Sequence, residues 1–165
     1  APFRPRVALF YRDELDRWLL PPAARARLAA VADIVTPPLD EAAWRGHAAA
    51  LRDVDAVLGS WDIPRFDAEL LAAMPRLRAV FYAAGSVRGF VTPEFWERGI
   101  VLSSAVGANV GPTATFAEAM IVLSLKQVWF YLREKRADWA YLADTASSGV
   151  HGATVGIVGL SRIGR

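Results

Sequence analysis

Short apolar runs alternate along the chain with longer stretches of helical period, regularly enough to predict a repeating strand–helix order. Arg6-Val-Ala-Leu-Phe10 reads as the first strand, a compact β-branched and aromatic run behind a proline-bounded start. Asp13 caps a helical pattern that puts Leu15, Trp18 and Leu19 on one face. Pro21-Pro22 breaks that pattern, and a second helical piece follows through Ala30. Strands are expected at Ala32–Thr36, Asp55–Leu58, Leu77–Tyr82 and Gly99–Ser103. Between them lie helices at Asp40–Arg52, opened by acidic residues that suit the positive end of the helix dipole, and at Asp67–Met74. Thr92-Pro93-Glu94 starts a short helix, with Thr92 as N-cap and Pro93 in the first helical position. This βαβα order predicts a parallel sheet with helices on both faces.

From Pro112 an uninterrupted helical pattern runs to about Arg136. At roughly 36 Å it is longer than a small sheet needs for cover, so it is expected to run between two domains. Residues 137–152 follow as an irregular arm, and Ala153-Thr-Val-Gly-Ile-Val158 reads as a strand running into Gly159-Leu-Ser-Arg-Ile-Gly164. A strand and turn with no helix behind them leave an edge and a helix start unsupported, which reads as truncation. The expected organisation is therefore a first domain over 1–111, a crossover helix and arm over 112–152, and the start of a second domain over 153–165.

Composition narrows the chemistry. Of the 165 residues, 54% are hydrophobic, which argues for a packed core and against disorder. Nineteen basic residues against seventeen acidic ones leave a net charge of +2. Only Lys126 and Lys135 are lysines, and the arginines are scattered among carboxylates without the basic stripe a nucleic-acid groove needs. There is no cysteine, which excludes a disulfide framework, a thiol nucleophile and a cysteine metal site. The longest apolar stretch, Ala119 to Leu125, falls short of the about 20 residues of a membrane span. Ala1-Pro-Phe-Arg-Pro-Arg leads into a strand, not a signal sequence, so a cytoplasmic protein without membrane or nucleic-acid partners is expected.

In a parallel sheet, ligands gather outside the carboxyl ends of the strands. Three loops meet that condition: Gly59-Ser-Trp-Asp62, Ala83-Ala-Gly-Ser-Val-Arg-Gly89 and Ala105-Val-Gly-Ala-Asn-Val-Gly111. The second and third are built of small residues, which let backbone N–H groups approach a carboxylate or phosphate, or simply permit tight turns. Asn109 reads as a turn or cap residue or as a ligand-facing amide. Trp61 could wall a small pocket or cover the sheet edge, and Arg88 could meet an acidic substrate or stay solvated. Gly159-Leu-Ser-Arg-Ile-Gly164 sits where a dinucleotide fingerprint belongs, behind an apolar strand, with Ser161 in place of the middle glycine. The Ser161 β-carbon crowds the backbone approach of a pyrophosphate, while its hydroxyl could bond a phosphate oxygen. The two histidines, His47 and His151, lie outside all three loops, so neither reads as a general base, and no metal-ligand cluster is visible.

Ala79-Val-Phe-Tyr-Ala-Ala-Gly-Ser-Val-Arg88, Trp96-Glu-Arg-Gly-Ile100, Gly107-Ala-Asn109, the long helix and Thr154-Val-Gly-Ile-Val-Gly-Leu-Ser-Arg-Ile-Gly-Arg165 occur in this order. That succession resembles the D-isomer-specific 2-hydroxyacid dehydrogenases over most of the chain, most strongly from Leu77 onward. The resemblance implies an α/β, flavodoxin-like substrate domain, a crossover helix and the first strand of a Rossmann domain. It implies an oxidoreductase that moves hydride between NAD or NADP and a D-2-hydroxy or 2-keto acid, and a homodimer when intact. Gly85 and Ser86 would offer N–H groups to the substrate carboxylate, with Asn109 lining the cleft; Trp61, as a pocket wall, is the substrate-side candidate that the loop pattern adds. Gly159, Ser161, Arg162, Ile163 and Gly164 would hold the cofactor. The family's catalytic arginine, acid and histidine belong to the later domain, so no catalytic residue is expected in this chain and no turnover from it alone. Thr115 stands where the family usually has a glutamate, with Glu118 one turn later, and Arg88 where an acidic residue is common. The alternative is a non-catalytic, cofactor-sensing or binding protein on the same scaffold.

Overall fold

The computed structural model describes residues 3–134 and 149–165. It divides into two compact units, Ala1–Gly107 and Ala108–Arg165.

Five strands build the first unit: β1 (Arg6–Phe10), β2 (Asp33–Pro38), β3 (Ala56–Gly59), β4 (Ala79–Tyr82) and β5 (Val101–Ser104). All neighbours pair in parallel, in the order β2-β1-β3-β4-β5. This is the flavodoxin-like order expected from the resemblance, with its switch point between β1 and β3. Parallel strands need crossovers, and these are α1 (Asp16–Leu19) and α2 (Pro22–Val31), α3 (Ala48–Leu51), α4 (Ala68–Ala73) and α5 (Pro93–Glu97).

Alternation along the strands sorts side chains onto two faces. Val7, Leu9, Tyr11 and Ala56 pack against Leu20 and Ala32, supported by Leu15 just ahead of α1 and by Leu19, Ala24 and Leu28 from α1 and α2. Ala8, Phe10, Val57, Val80 and Tyr82 face the larger core with Leu51, Leu70, Phe66, Phe90 and Phe95. Phe66 is its hub, with ring centroids 6.1, 5.9 and 5.3 Å from Phe10, Phe90 and Phe95. Polar ties fix the periphery: buried Asp55 accepts from Arg6 N–H (3.0 Å) and the Arg76 guanidinium (2.9 Å). Thr92 caps α5 as expected, accepting from Phe95 N–H while its hydroxyl donates to the Phe66 carbonyl at 2.6 Å.

Several expected boundaries move. Asp40–Arg52 is not one helix: a 3₁₀ turn (Trp44–His47) precedes the four-residue α3, with Asp40 accepting from Ala42 and Ala43 N–H. Asp13 likewise opens a 3₁₀ turn (Asp13–Leu15) before α1. The long helix α6 spans Val106–Leu125 and holds Pro112 inside it, not at its start. Proline lacks only its own N–H, so the preceding residues can still wind as helix, at the expense of one bond to the Ala108 carbonyl. After α6 the backbone turns at Gln127 (φ 54°) before α7 (Val128–Glu134). The rest of that expected helix and most of the arm, residues 135–148, lie outside the described residues. Ala153–Val158 forms no strand, because a strand exists only through a neighbour and these residues pair with none among the described residues.

Candidate functional site

The carboxyl edge of the sheet carries the loops after β3 and β4 singled out from the sequence; the third expected loop, 105–111, is instead wound into α6 from Val106 onward. After β3, Ser60 is fully buried, donates its N–H to the Phe10 carbonyl (3.0 Å), and has no partner for its hydroxyl among the described residues. Asp62 adopts the left-handed backbone region (φ 62°), which aspartate tolerates better than most residues. Its carboxylate grips Arg12, from the loop after β1, at 2.7 Å. Both side chains are about half exposed, so the pair ties two loops together more than it stabilises the fold. Trp61 is 59% exposed. Burial first, and then the Asp62 charge, push the Tyr82 hydroxyl above its usual pKa, so it is a neutral phenol at physiological pH.

The loop after β4 has a different character. Ala83 N–H donates to the Gly59 carbonyl (2.7 Å), and a turn closes further on where Phe90 N–H meets the Val87 carbonyl (3.3 Å). Between these bonds, the N–H groups of Gly85, Ser86 and Val87 have no acceptor among the described residues. Gly85 is half-buried, Ser86 and Arg88 are exposed, and a Cβ on Gly85 would meet nothing within 4 Å. Successive unbonded N–H groups on one short loop are the arrangement that receives an anion.

Neighbouring cavities suit an anion less well. A cleft of about 470 Å³ reaches Gly89 and is lined by Arg12 and Arg65, but also by Asp40, Glu41 and Asp62. Three carboxylates against two guanidiniums leave it net negative. A larger cavity, about 770 Å³ beside α1 and α2, is lined by none of the glycine-loop residues. Its Arg25 is already held by Asp16 at 2.7 Å, and Asp16 also accepts the Tyr11 hydroxyl at 2.8 Å.

Of the remaining expected site residues, Asn109 and the fingerprint belong to the second unit. Asn109 is exposed in the first turn of α6, and its carbonyl accepts from the Thr113 hydroxyl at 2.7 Å. In the fingerprint, Gly159 sits at φ +102°, where an L side chain is strained. Gly164 N–H closes a turn onto the Ser161 carbonyl at 3.1 Å. A Cβ at Gly164 would collide with the Gly159 carbonyl, so both outer glycines are required by the backbone. Ser161 is exposed, and the N–H groups of Ser161, Arg162 and Ile163 have no acceptor among the described residues. The outer glycines and the unbonded N–H groups have the chemistry a pyrophosphate needs, while the Ser161 side chain and the missing strand before the turn depart from the fingerprint's usual setting.

A ring nitrogen of His47 lies 3.3 Å from the Ala43 carbonyl, and His151 is exposed in a turn; neither is in these loops. No cluster of metal-ligating side chains occurs among the described residues. Sequence reasoning missed the buried Ser60 hydroxyl and the Arg12–Asp62 tie. Both depend on how β1 and β3 lie side by side, which no local pattern encodes.

No protein-family model matches the chain. Among curated proteins, it is 32% identical over 118 residues to the glyoxylate reductase of Korarchaeum cryptofilum, covering 69% of this chain and 35% of that protein. It is 30% identical over 117 residues to the D-3-phosphoglycerate dehydrogenase of Mycobacterium leprae, covering 71% of this chain and 22% of that protein. Among solved structures it shares the fold of an NADPH-dependent glyoxylate/hydroxypyruvate reductase from Sinorhizobium meliloti in complex with citrate. There the TM-score is 0.68 at 24% identity, over 98% of this chain and 48% of the other. A phosphoglycerate oxidoreductase from Rhizobium etli gives a TM-score of 0.69 at 20% identity, over 98% and 50%. The chain thus spans about a fifth to a third of these curated relatives and about half of these solved chains.

Proposed function

Because the chain belongs to the D-isomer-specific 2-hydroxyacid dehydrogenase family, we propose that it is the acid-gripping part of an oxidoreductase acting on 2-hydroxy and 2-keto acids. The observation that carries this reading is the small-residue loop at the carboxyl end of β4, where the N–H groups from Ala84 to Gly89, those of Gly85 to Val87 among them, have no acceptor among the described residues. They offer the substrate carboxylate main-chain donors without burying a counter-charge. A carboxylate held this way presents its 2-carbon in a fixed orientation, which is the chain's contribution to rate.

Gly159 to Gly164 would hold the pyrophosphate of NAD or NADP through the N–H groups of Ser161, Arg162 and Ile163. When bound, the nicotinamide supplies the hydride that converts a 2-keto acid to the D-2-hydroxy acid, and accepts it in reverse. No residue of this chain is assigned the proton transfer, because neither histidine lies in the loops that grip the acid. The chain alone is therefore expected to bind acids without turning them over. Trp61, on the loop after β3, is assigned to lining the substrate site.

Helix α6 is, by length and composition, long and apolar enough to cross a membrane, at 20 residues and a mean hydropathy of 1.2. We assign it to contact with protein instead, since Glu118 near its middle would be costly in hydrocarbon. The protein is accordingly proposed to be cytoplasmic, homodimeric when intact, and without membrane or nucleic-acid partners.

The test is an assay of the full-length gene product with NADH and NADPH against glyoxylate, hydroxypyruvate and pyruvate. Loss of absorbance at the reduced nicotinamide band with at least one acid is the expected result. Inertness toward all of them with both cofactors would overturn the enzyme reading in favour of a binding protein.

A further inference from the structure

The arginines of the first unit differ in whether their charge is already used. Arg12 holds Asp62, Arg25 holds Asp16 and Arg45 holds Glu69, each at 2.7 Å. Arg88 is exposed and has neither an ion pair nor a side-chain hydrogen bond among the described residues. Its setting distinguishes it, because it shares the β4 loop with the unbonded N–H groups of Gly85, Ser86 and Val87. Arg88 lies three positions after Gly85, so their Cα atoms are at most about 11 Å apart. The bond from Phe90 N–H to the Val87 carbonyl (3.3 Å) reverses the chain and sets Arg88 at the tip of the turn.

A singly charged acid needs the backbone donors alone. An acid with a second anionic group also meets a guanidinium, whose planar fork matches a carboxylate or a phosphate. The cleft on the Gly89 side does not compete for that group, because its three carboxylates outnumber its two guanidiniums. We propose that Arg88 is a specificity-determining residue that favours 2-hydroxy or 2-keto acids bearing a second anionic group. This rests on the reading of Gly85 and Ser86 as the carboxylate subsite. It adds a preference within the substrate class that the backbone donors cannot supply, since they meet every 2-hydroxy acid alike.

The test is a titration of the ¹⁵N-labelled chain, followed through the Gly85 and Ser86 amide signals, with two matched pairs of acids. Malate against 2-hydroxybutyrate exchanges a methyl for a carboxylate, and 3-phosphoglycerate against glycerate adds a phosphate. The dianion of at least one pair is expected to bind about fivefold more tightly than its parent, the scale of one partly exposed ion pair. The pair that shows the preference identifies the group, carboxylate or phosphate. Arg88→Gln should bring that ratio close to one, and Arg88→Lys should keep part of it. Arg27→Gln, which removes an exposed charge from α2, should leave it unchanged. Equal affinities within both pairs for the unsubstituted chain would overturn the assignment to Arg88. So would an equal drop in the ratio for Arg88→Gln and Arg27→Gln, which would reduce the effect to net charge. Amide signals that move with none of the four acids would instead overturn the carboxylate subsite itself.

Discussion

The two units of this chain are about equally apolar to read and very unequally covered. In the first, Phe10, Phe66 and Phe95 are fully sequestered between sheet and helices. In the second, no residue of α6 is buried, and Phe116, Ile157 and Leu160 are each more than 60% exposed. Similar hydrophobic patterns thus end in opposite environments. Pattern specifies which residues call for cover; whether they receive it depends on elements that must come from elsewhere in the fold. The contrast also separates two kinds of site. The β4 loop stands on a paired five-stranded sheet that holds its ends, whereas the fingerprint turn is held by its own glycines.

The sharpest way to break this comparison is to cut the same side chain in each unit. Phe66→Ala removes the hub of an aromatic cluster and should cost about 3–5 kcal/mol in urea unfolding of the chain. Phe116→Ala, at 65% exposure, should fall within about 0.5 kcal/mol of the parent. Comparable losses at both would mean the second unit is packed after all. A smaller effect is expected at Asp55, where alanine leaves the Arg6 N–H and the Arg76 guanidinium without their acceptor. About 2 kcal/mol should be lost, by the same measurement. Thr92→Ala removes the cap of α5 and the bond to the Phe66 carbonyl, for about 1 kcal/mol.

The smallest effect is confined to alkaline solution. Burial, followed by the hydrogen bond to Asp16 and its charge, raises the Tyr11 hydroxyl well above the tyrosine value of 10.0. The folded chain therefore keeps a proton that the unfolded chain releases, and stability falls as pH rises past 10.0 toward the folded value. Tyr11→Phe should flatten that alkaline limb in unfolding curves recorded from pH 8 to 11, while leaving the dependence below pH 9 as it was. An unchanged limb would assign it to other groups.

Much of the sheet was legible because its signals are local. Arg6–Phe10 matches β1 residue for residue, and Thr92-Pro93 starts α5 where capping chemistry requires. The failures are equally physical. Asp40–Arg52 has helical composition, yet Trp44 is drawn into the core and tightens that segment into a 3₁₀ turn before α3. Pro112 reads as a helix start because proline favours the first helical position, but Val106 to Gly111 wind ahead of it. For the candidate site, the small-residue loop after β4 could be found from composition alone. That its N–H groups are unbonded could not, because hydrogen bonding along a loop follows from the strand register beneath it. Ser60 escaped notice for the same reason, as its burial comes from the neighbouring β1.

The central claim is hydride transfer to the 2-carbon of an acid, and isotope labelling tests it most directly. The full-length protein would be supplied with NADH or NADPH carrying two deuteriums at C4 of the nicotinamide, together with a 2-keto acid. The account predicts one deuterium at C2 of the 2-hydroxy product, in a single D configuration, read by mass spectrometry and chiral separation. Product without deuterium, product of the L configuration, or cofactor that returns with its label intact would contradict it.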